Sequence, residues 1–153
     1  MPNLHFDPKK HKKYLPFNKS KYKSKYVPIA RSTWELAFCI WCDKNNAVTS
    51  WASEPIEIKY SFKGKQTIYY PDFIITVKTI QNKLSTYLIE IKPSKETIPP
   101  KKTPKKSQLT YLTELNTYNR NIAKWTAARN LCNRKGWHFK ILTEKELFKG
   151  NKV

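Results

Sequence analysis

Two carboxylates and a lysine fall at matching positions on neighbouring stretches of this chain: Asp72, Glu90 and Lys92. Asp72 opens the run Asp72-Phe-Ile-Ile-Thr-Val-Lys78, and Glu90 and Lys92 close the run Leu84-Ser-Thr-Tyr-Leu-Ile-Glu-Ile-Lys92. Both runs are rich in β-branched and aromatic residues, and Gln81-Asn82-Lys83 makes a polar break between them, which predicts a hairpin. A turn centred near Gln81 sets Asp72 opposite Glu90 and Ile74 opposite Leu88. Opposed residues of an antiparallel pair share a face, and side chains alternate faces along each strand. One face then carries Asp72, Ile74, Leu88, Glu90 and Lys92. The other carries Phe73, Ile75, Val77, Tyr87, Ile89 and Ile91, a core face. Facing carboxylates repel unless positive charge sits between them, and hard oxygen ligands suit Mg²⁺, with Mn²⁺ as a substitute. Lys92 is placed to orient a water and to offset charge on a phosphate oxygen. An exposed Asp and a surface Glu/Lys pair on an ordinary hairpin would not need this symmetric register.

Other metal or thiol chemistry finds little support. Cys39 and Cys42 have C-x-x-C spacing but lie in a predicted helix without a second pair, and His5, His11 and His138 have no zinc-like spacing to them. Buried, reduced thiols are expected. The 153 residues include 39% hydrophobic ones and five tryptophans, enough for one domain with a real core. Thirty Lys/Arg against eleven Asp/Glu leave a net charge of +19. That excess points to a polyanion, DNA, ahead of a membrane surface or a small-molecule substrate. No apolar run approaches transmembrane length, and no apolar stretch follows the N-terminal lysines as a signal peptide requires. A place in a cytoplasm, or in an assembly made there, is the expectation.

The elements that must hold the hairpin can be read in order. Residues 1–31 form a basic, proline-punctuated leader with nine Lys/Arg against Asp7 alone. Lys9, Lys10, Lys12, Lys13, Lys21, Lys23, Lys25 and Arg31 are interleaved with Tyr14, Phe17, Tyr22 and Tyr26, a pattern suited to an extended segment on a phosphate backbone. A solvated tail is the alternative. The folded domain is then expected over 32–153. A helix starts after Ser32, with Trp34, Ala37, Phe38 and Trp41 as its apolar stripe and an end near Asn45-Asn46. Ser32-x-x-Glu35 is a capping-box pattern. Val48 to Tyr60 reads as the first strand, and Lys63-Gly64-Lys65 as the turn into the Asp72 strand. Glu54 and Glu57 are expected on the surface.

After Lys92, prolines exclude regular structure as far as Lys106. Lys95, Lys101, Lys102, Lys105 and Lys106 make this a positive loop able to guide a DNA backbone. A long helix is predicted from about Leu109 to Lys135, with Leu115, Tyr118, Ile122 and Trp125 as its seam and Gly136 beyond its end. Asn119, Asn121 and Lys124 on it could touch DNA or order Lys92. Trp137 to Leu142 forms a last strand, which the crossover helix brings back parallel to the Glu90 strand. Thr143 and Glu146 make a capping box for a terminal helix. The expected class is α/β, a mixed central sheet flanked by helices in the order α-β-β-β-α-β-α.

Pro71-Asp72 followed by Glu90-x-Lys92 resembles the PD-(D/E)xK nuclease core. Arg31-Ser32-x-Trp34-Glu35, Trp41-x-Asp43, Glu90-Ile-Lys92-Pro93-x-Lys95-Glu96-Thr97, Asn116-Thr-Tyr118 and Lys124-Trp125 are similar, in order and spacing, to the head-completion nuclease family of contractile-tailed bacteriophages. The resemblance runs from about Tyr26 to Leu147. It implies a restriction-endonuclease-like fold and a Mg²⁺-dependent endonuclease acting on packaged DNA before the tail joins. Phage head and neck proteins would be its partners, in the host cytoplasm during assembly or on the virion. It also implies Glu35, Asp72 and Glu90 as metal ligands, with the Ile91 carbonyl as a further one, and Lys92 as the catalytic lysine. For Glu35, the ligand and capping roles both stand open here. The basic leader has no family counterpart. Transposon-end and junction-resolving nucleases share the core without the Glu-Ile-Lys-Pro context, and a non-cutting DNA-binding neck protein is the rival from another class.

Overall fold

A computed structural model describes residues 12–148. Its centre is a four-stranded mixed sheet in the order β3-β6-β7-β8, formed by Val48–Ser53, Phe73–Lys78, Leu84–Ile91 and His138–Leu142. β6 and β7 pair antiparallel with Ile74 opposite Leu88 and Phe73 opposite Ile89. The expected register therefore holds to the residue. β8 lies parallel to β7, with Glu90 beside Ile141, as the crossover through the long helix between them requires. α2 covers Gln108–Lys135, capped by the Ser107 hydroxyl at its start and by Gly136 in the left-handed conformation at its end. α3, Glu144–Leu147, begins with the capping box of Thr143 and Glu146.

Both faces of the sheet are covered, not one. Phe73, Ile75 and Ile89 pack with Trp51, Val48 and α1, the helix Thr33–Lys44. Ile74 and Leu88, on the face of the carboxylates, pack with Trp125, Ala128 and Cys132 of α2. A central strand in a two-sided core is near-continuously apolar, which is how β7 reads.

Three expectations are revised. The inward face of α1 is rotated by one residue from the tryptophan stripe. Phe38, Cys39, Cys42 and Asp43 are buried, whereas Ala37 is exposed and Trp41 is 46% exposed. Small cysteines let the helix approach Trp51 and Phe73, and the two indoles are too large for that seam. The three cysteines are free and buried, as expected.

The single strand over Val48–Tyr60 is two strands. Glu54 has φ +43 and Pro55 follows, so the chain leaves the sheet after Ser53. It then forms a separate antiparallel hairpin, β4 (Ile58–Phe62) with β5 (Lys65–Tyr69), turning at Lys63-Gly64 with both φ positive. Tyr70-Pro71 leads from β5 into β6.

No structural boundary marks residue 31. β1 (Lys12–Lys13) pairs with β2 (Ile29–Ala30). The Lys21 carbonyl accepts from Trp51 N, and Lys23 N donates to the Trp51 carbonyl, so this segment covers the outer edge of β3. Tyr14 and Tyr22 pack on Trp51 at ring distances of 6.2 and 4.7 Å. Asp43, fully buried, accepts from the Tyr14 hydroxyl and from the backbone N–H groups of Phe17 and Asn18. Burial pushes this carboxyl up, but those donors outweigh it and hold it below the usual range.

Candidate active site

The register that pairs Phe73 with Ile89 carries Asp72 and Glu90 to the end of the two central strands. The Asp72 carboxylate accepts from Ile91 N at 2.8 Å, so the side chain continues the ladder where the backbone pairing stops. Burial raises the Asp72 carboxyl to about 6 against the Ile91 donor and the Lys92 charge. Glu90 is 6% exposed. Burial first, then the Asp72 charge, raise it to about 8, while Tyr69, Lys92 and Lys124 act to lower it. Two carboxylates that share a site and leave water behave this way, and such displaced pairs mark places where chemistry is done.

Glu35 enters from α1 on the opposite layer. Its N–H donates to the Ser32 hydroxyl at 3.1 Å, and that hydroxyl lies 3.3 Å from the Glu35 carboxylate. The reciprocal bond to the Ser32 backbone, which a full capping box needs, is absent, so Glu35 only half serves the cap. Burial and the Asp72 charge raise its carboxyl to about 7. The rotation of α1 that buries Phe38 and Cys39 is what turns Glu35 toward the sheet.

Two further side chains belong to the site and are absent from the motif. Tyr69, the last residue of β5, is buried and donates its hydroxyl to Glu90. Burial, and then the Glu90 charge, push the phenol far above its ordinary range, which keeps it a donor. The Lys124 ammonium sits 5.6 Å from the centre of the Tyr69 ring. Burial and the neighbouring Lys92 charge lower its pKa, while Glu90 and Asp72 oppose them. Lys124, for which contact with DNA and ordering of Lys92 both stood open, is half-buried against the Tyr69 ring. Nothing in the local pattern announces Tyr69, because its role depends on where a separate hairpin docks.

The remaining candidate cations divide by what they touch. Arg31 binds Glu54 at 2.7 Å. Lys21 donates to the carbonyls of Cys42, Asp43 and Asn45, closing the end of α1, so it is structural. Lys106 pairs with Glu114 at 2.6 Å, and Lys102 donates to carbonyls within its own loop. Lys13, Lys23, Lys25, Lys95, Lys101 and Lys105 are exposed or half-buried. Lys9 and Lys10, and the side chain of Lys12, lie outside the described residues.

Among the described residues no three His, Cys, Asp or Glu side chains stand ready as a metal cage. Each of the three carboxylates is held by a protein donor: Ser32, Ile91 N–H or Tyr69. The donor set still fits a hard divalent ion. Magnesium is held through one or two carboxylates with waters and substrate phosphate, and Asp72 with Glu90 supplies that pair. The mutual repulsion of this pair, which its donors and Lys92 only partly offset, is the feature a cation would relieve.

Comparison with known proteins agrees with this geometry. Residues 45–144 match the family described as TnsA-like endonuclease N terminal. The head completion nuclease of Enterobacteria phage T4 is 38% identical, over 90% of this chain and 96% of its own length.

Proposed function

This chain belongs to the TnsA-like endonuclease family and to the head completion nucleases, and we propose that it hydrolyses DNA phosphodiester bonds with Mg²⁺ during the completion of phage heads. The observation that carries this reading is the pair of half-buried Asp72 and buried Glu90, both raised, beside Lys92 at the ends of β6 and β7. Asp72 and Glu90, with Glu35 and the Ile91 carbonyl alongside, are the groups to hold a divalent ion, which when bound supplies Lewis-acid activation of water and phosphate. Mn²⁺ is expected to substitute.

Lys92 orients the attacking water and offsets charge that grows on the phosphate oxygens. Lys124 adds a second positive charge on the α2 side. Tyr69 fixes one oxygen of Glu90, leaving the other free to face the site. Lys95, Lys101 and Lys105 on the loop, with Lys9, Lys10, Lys23 and Lys25 from the leader, are the phosphate contacts. Head and neck proteins of the particle, met in the host cytoplasm or on the virion, bring the enzyme to packaged DNA before the tail joins. A transposon-end nuclease would share the 45–144 match, but a relative spanning nine-tenths of the chain favours head completion.

The test is cleavage of linear, branched and capped duplexes by the full chain with and without Mg²⁺. Asp72→Ala and Lys92→Ala should each lose cleavage by about 10²-fold or more while still binding DNA. Undiminished cutting by either variant overturns the reading.

A further inference from the structure

The proline-rich loop and the first turns of α2 enclose a groove of about 530 Å³. Its walls are Ile98, Pro99, Pro100 and Tyr118. Its innermost residue is Asn121, 5% exposed, and none of the described residues hydrogen-bonds the Asn121 amide. An amide at the inner end of a groove offers a donor and an acceptor to whatever enters. Lys95 and Lys101 stand on the rim. Of the two acids lining the groove, Glu114 is neutralised by Lys106, leaving Glu96 against the two free lysines.

Two of the groove's residues lie within three positions of site lysines along the chain. Lys95 is three residues beyond Lys92, and Asn121 is three residues before Lys124, whose ammonium lies over the Tyr69 ring. The loop that forms one wall is fixed to the body. Ser94 N donates to Glu144 at 2.9 Å, and Lys106 donates to Glu114 of α2 at 2.6 Å.

We propose that this groove receives an unpaired nucleotide at the end or junction of the DNA being cut, an inference that rests on the nuclease reading. A groove with apolar walls and one aromatic ring accepts a base by stacking, which tolerates any sequence. A carboxamide at its inner end offers a donor and an acceptor to the edge of that base. Lysines at the mouth meet the phosphates on either side. The volume lies in the range of small-ligand sites and exceeds what a single base needs. A fully paired duplex cannot fill the slot, so the groove selects frayed, tailed or branched DNA over blunt duplex.

Binding of the full chain, without divalent metal, to three duplexes of one sequence tests this: blunt, with a short single-stranded tail, and with the same tail abasic. The tailed duplex should bind at least about 5-fold more tightly than the other two, the lower end of what one stacked base contributes. Asn121→Ala removes the amide, and Thr117→Trp fills the slot from an exposed helix position. Both should erase the preference. Equal binding of blunt and tailed DNA, an abasic tail that binds as well as a normal one, or a preference that survives both variants overturns the proposal. The two readings fail separately. Wild type that cuts blunt and tailed duplexes alike with Mg²⁺ sinks the groove and spares the nuclease, whereas a tail preference without any cutting does the reverse.

Discussion

Glu90→Gln should make the metal-free protein more stable at high pH while ending its cleavage. Burial and the Asp72 charge hold the Glu90 carboxyl at about 8, against an ordinary 4.5. Between those two pH values the folded chain binds a proton that the unfolded chain has released. Stability from this group is therefore complete below about 4.5 and is lost as pH rises toward 8. At about 1.36 kcal/mol per pH unit, the full gap bounds the penalty of the charged form at about 5 kcal/mol. A buried glutamine amide keeps a desolvation cost of its own, so a gain of about 2–3 kcal/mol at pH 9 is expected. The added net positive charge acts the other way and is screened at physiological salt. Urea unfolding in a chelating buffer, from pH 5 to pH 9, measures this directly. The variant and the wild type should be nearly equal at pH 5 and diverge steadily above it. Mg²⁺ should raise the wild type's Tm and leave that of the variant in place, because ligand binding stabilises only the fold that has the site. A variant that is less stable than wild type at pH 9, or a difference that does not change with pH, refutes the assignment of Glu90 to a strained carboxylate pair.

Tyr69→Phe removes the donor that favours ionised Glu90, so the acidic limb of the pH–kcat/KM profile should move upward, by about one unit, with a fall of about tenfold in kcat at neutral pH. A lowered Tm with an unmoved limb would assign Tyr69 to packing alone. Truncation separates the two roles of the N-terminal segment: loss of residues 1–11 removes Lys9 and Lys10 and should soften the salt dependence of DNA binding by about 1–2 in log–log slope, with Tm kept. Loss of residues 1–31 takes Tyr14, Tyr22 and the donors to Asp43 with it, and should collapse the fold; an unchanged Tm would show that these contacts carry no stability.

The hairpin was readable because a two-residue period admits few registers. Shifting β7 by one place would turn Glu90 into the α1-side core and away from Asp72, and the polar break at Gln81-Asn82-Lys83 fixes where the chain turns. α2 was readable from its apolar seam, with Gly136 marking its end. Asp72, Glu90 and Lys92 followed from that register without further information. The features that escaped were those decided by contacts distant in sequence. Trp34 and Trp41 look like core by type, yet Cys39 and Cys42 face inward because Trp51 already fills that space. The break at Glu54-Pro55 is local and could have been weighed more heavily, since a proline inside a strand argues against it.

Asp43 shows why the leader was misjudged, and what that means for function. A run of lysines and aromatics reads as a segment for DNA, and charge alone cannot separate cations that meet phosphate from cations that meet backbone carbonyls. A buried carboxylate needs donors, and here they come from Tyr14 and from the backbone of Phe17 and Asn18, with the Lys21 charge nearby. Once that bond set fixes residues 14–18, Lys21 must lie over the end of α1, and Tyr22 must lie against Trp51. The same anchoring fixes α1, and α1 carries Glu35 toward Asp72. The leader thus acts on the site through the helix it holds, whatever its outward lysines do with DNA.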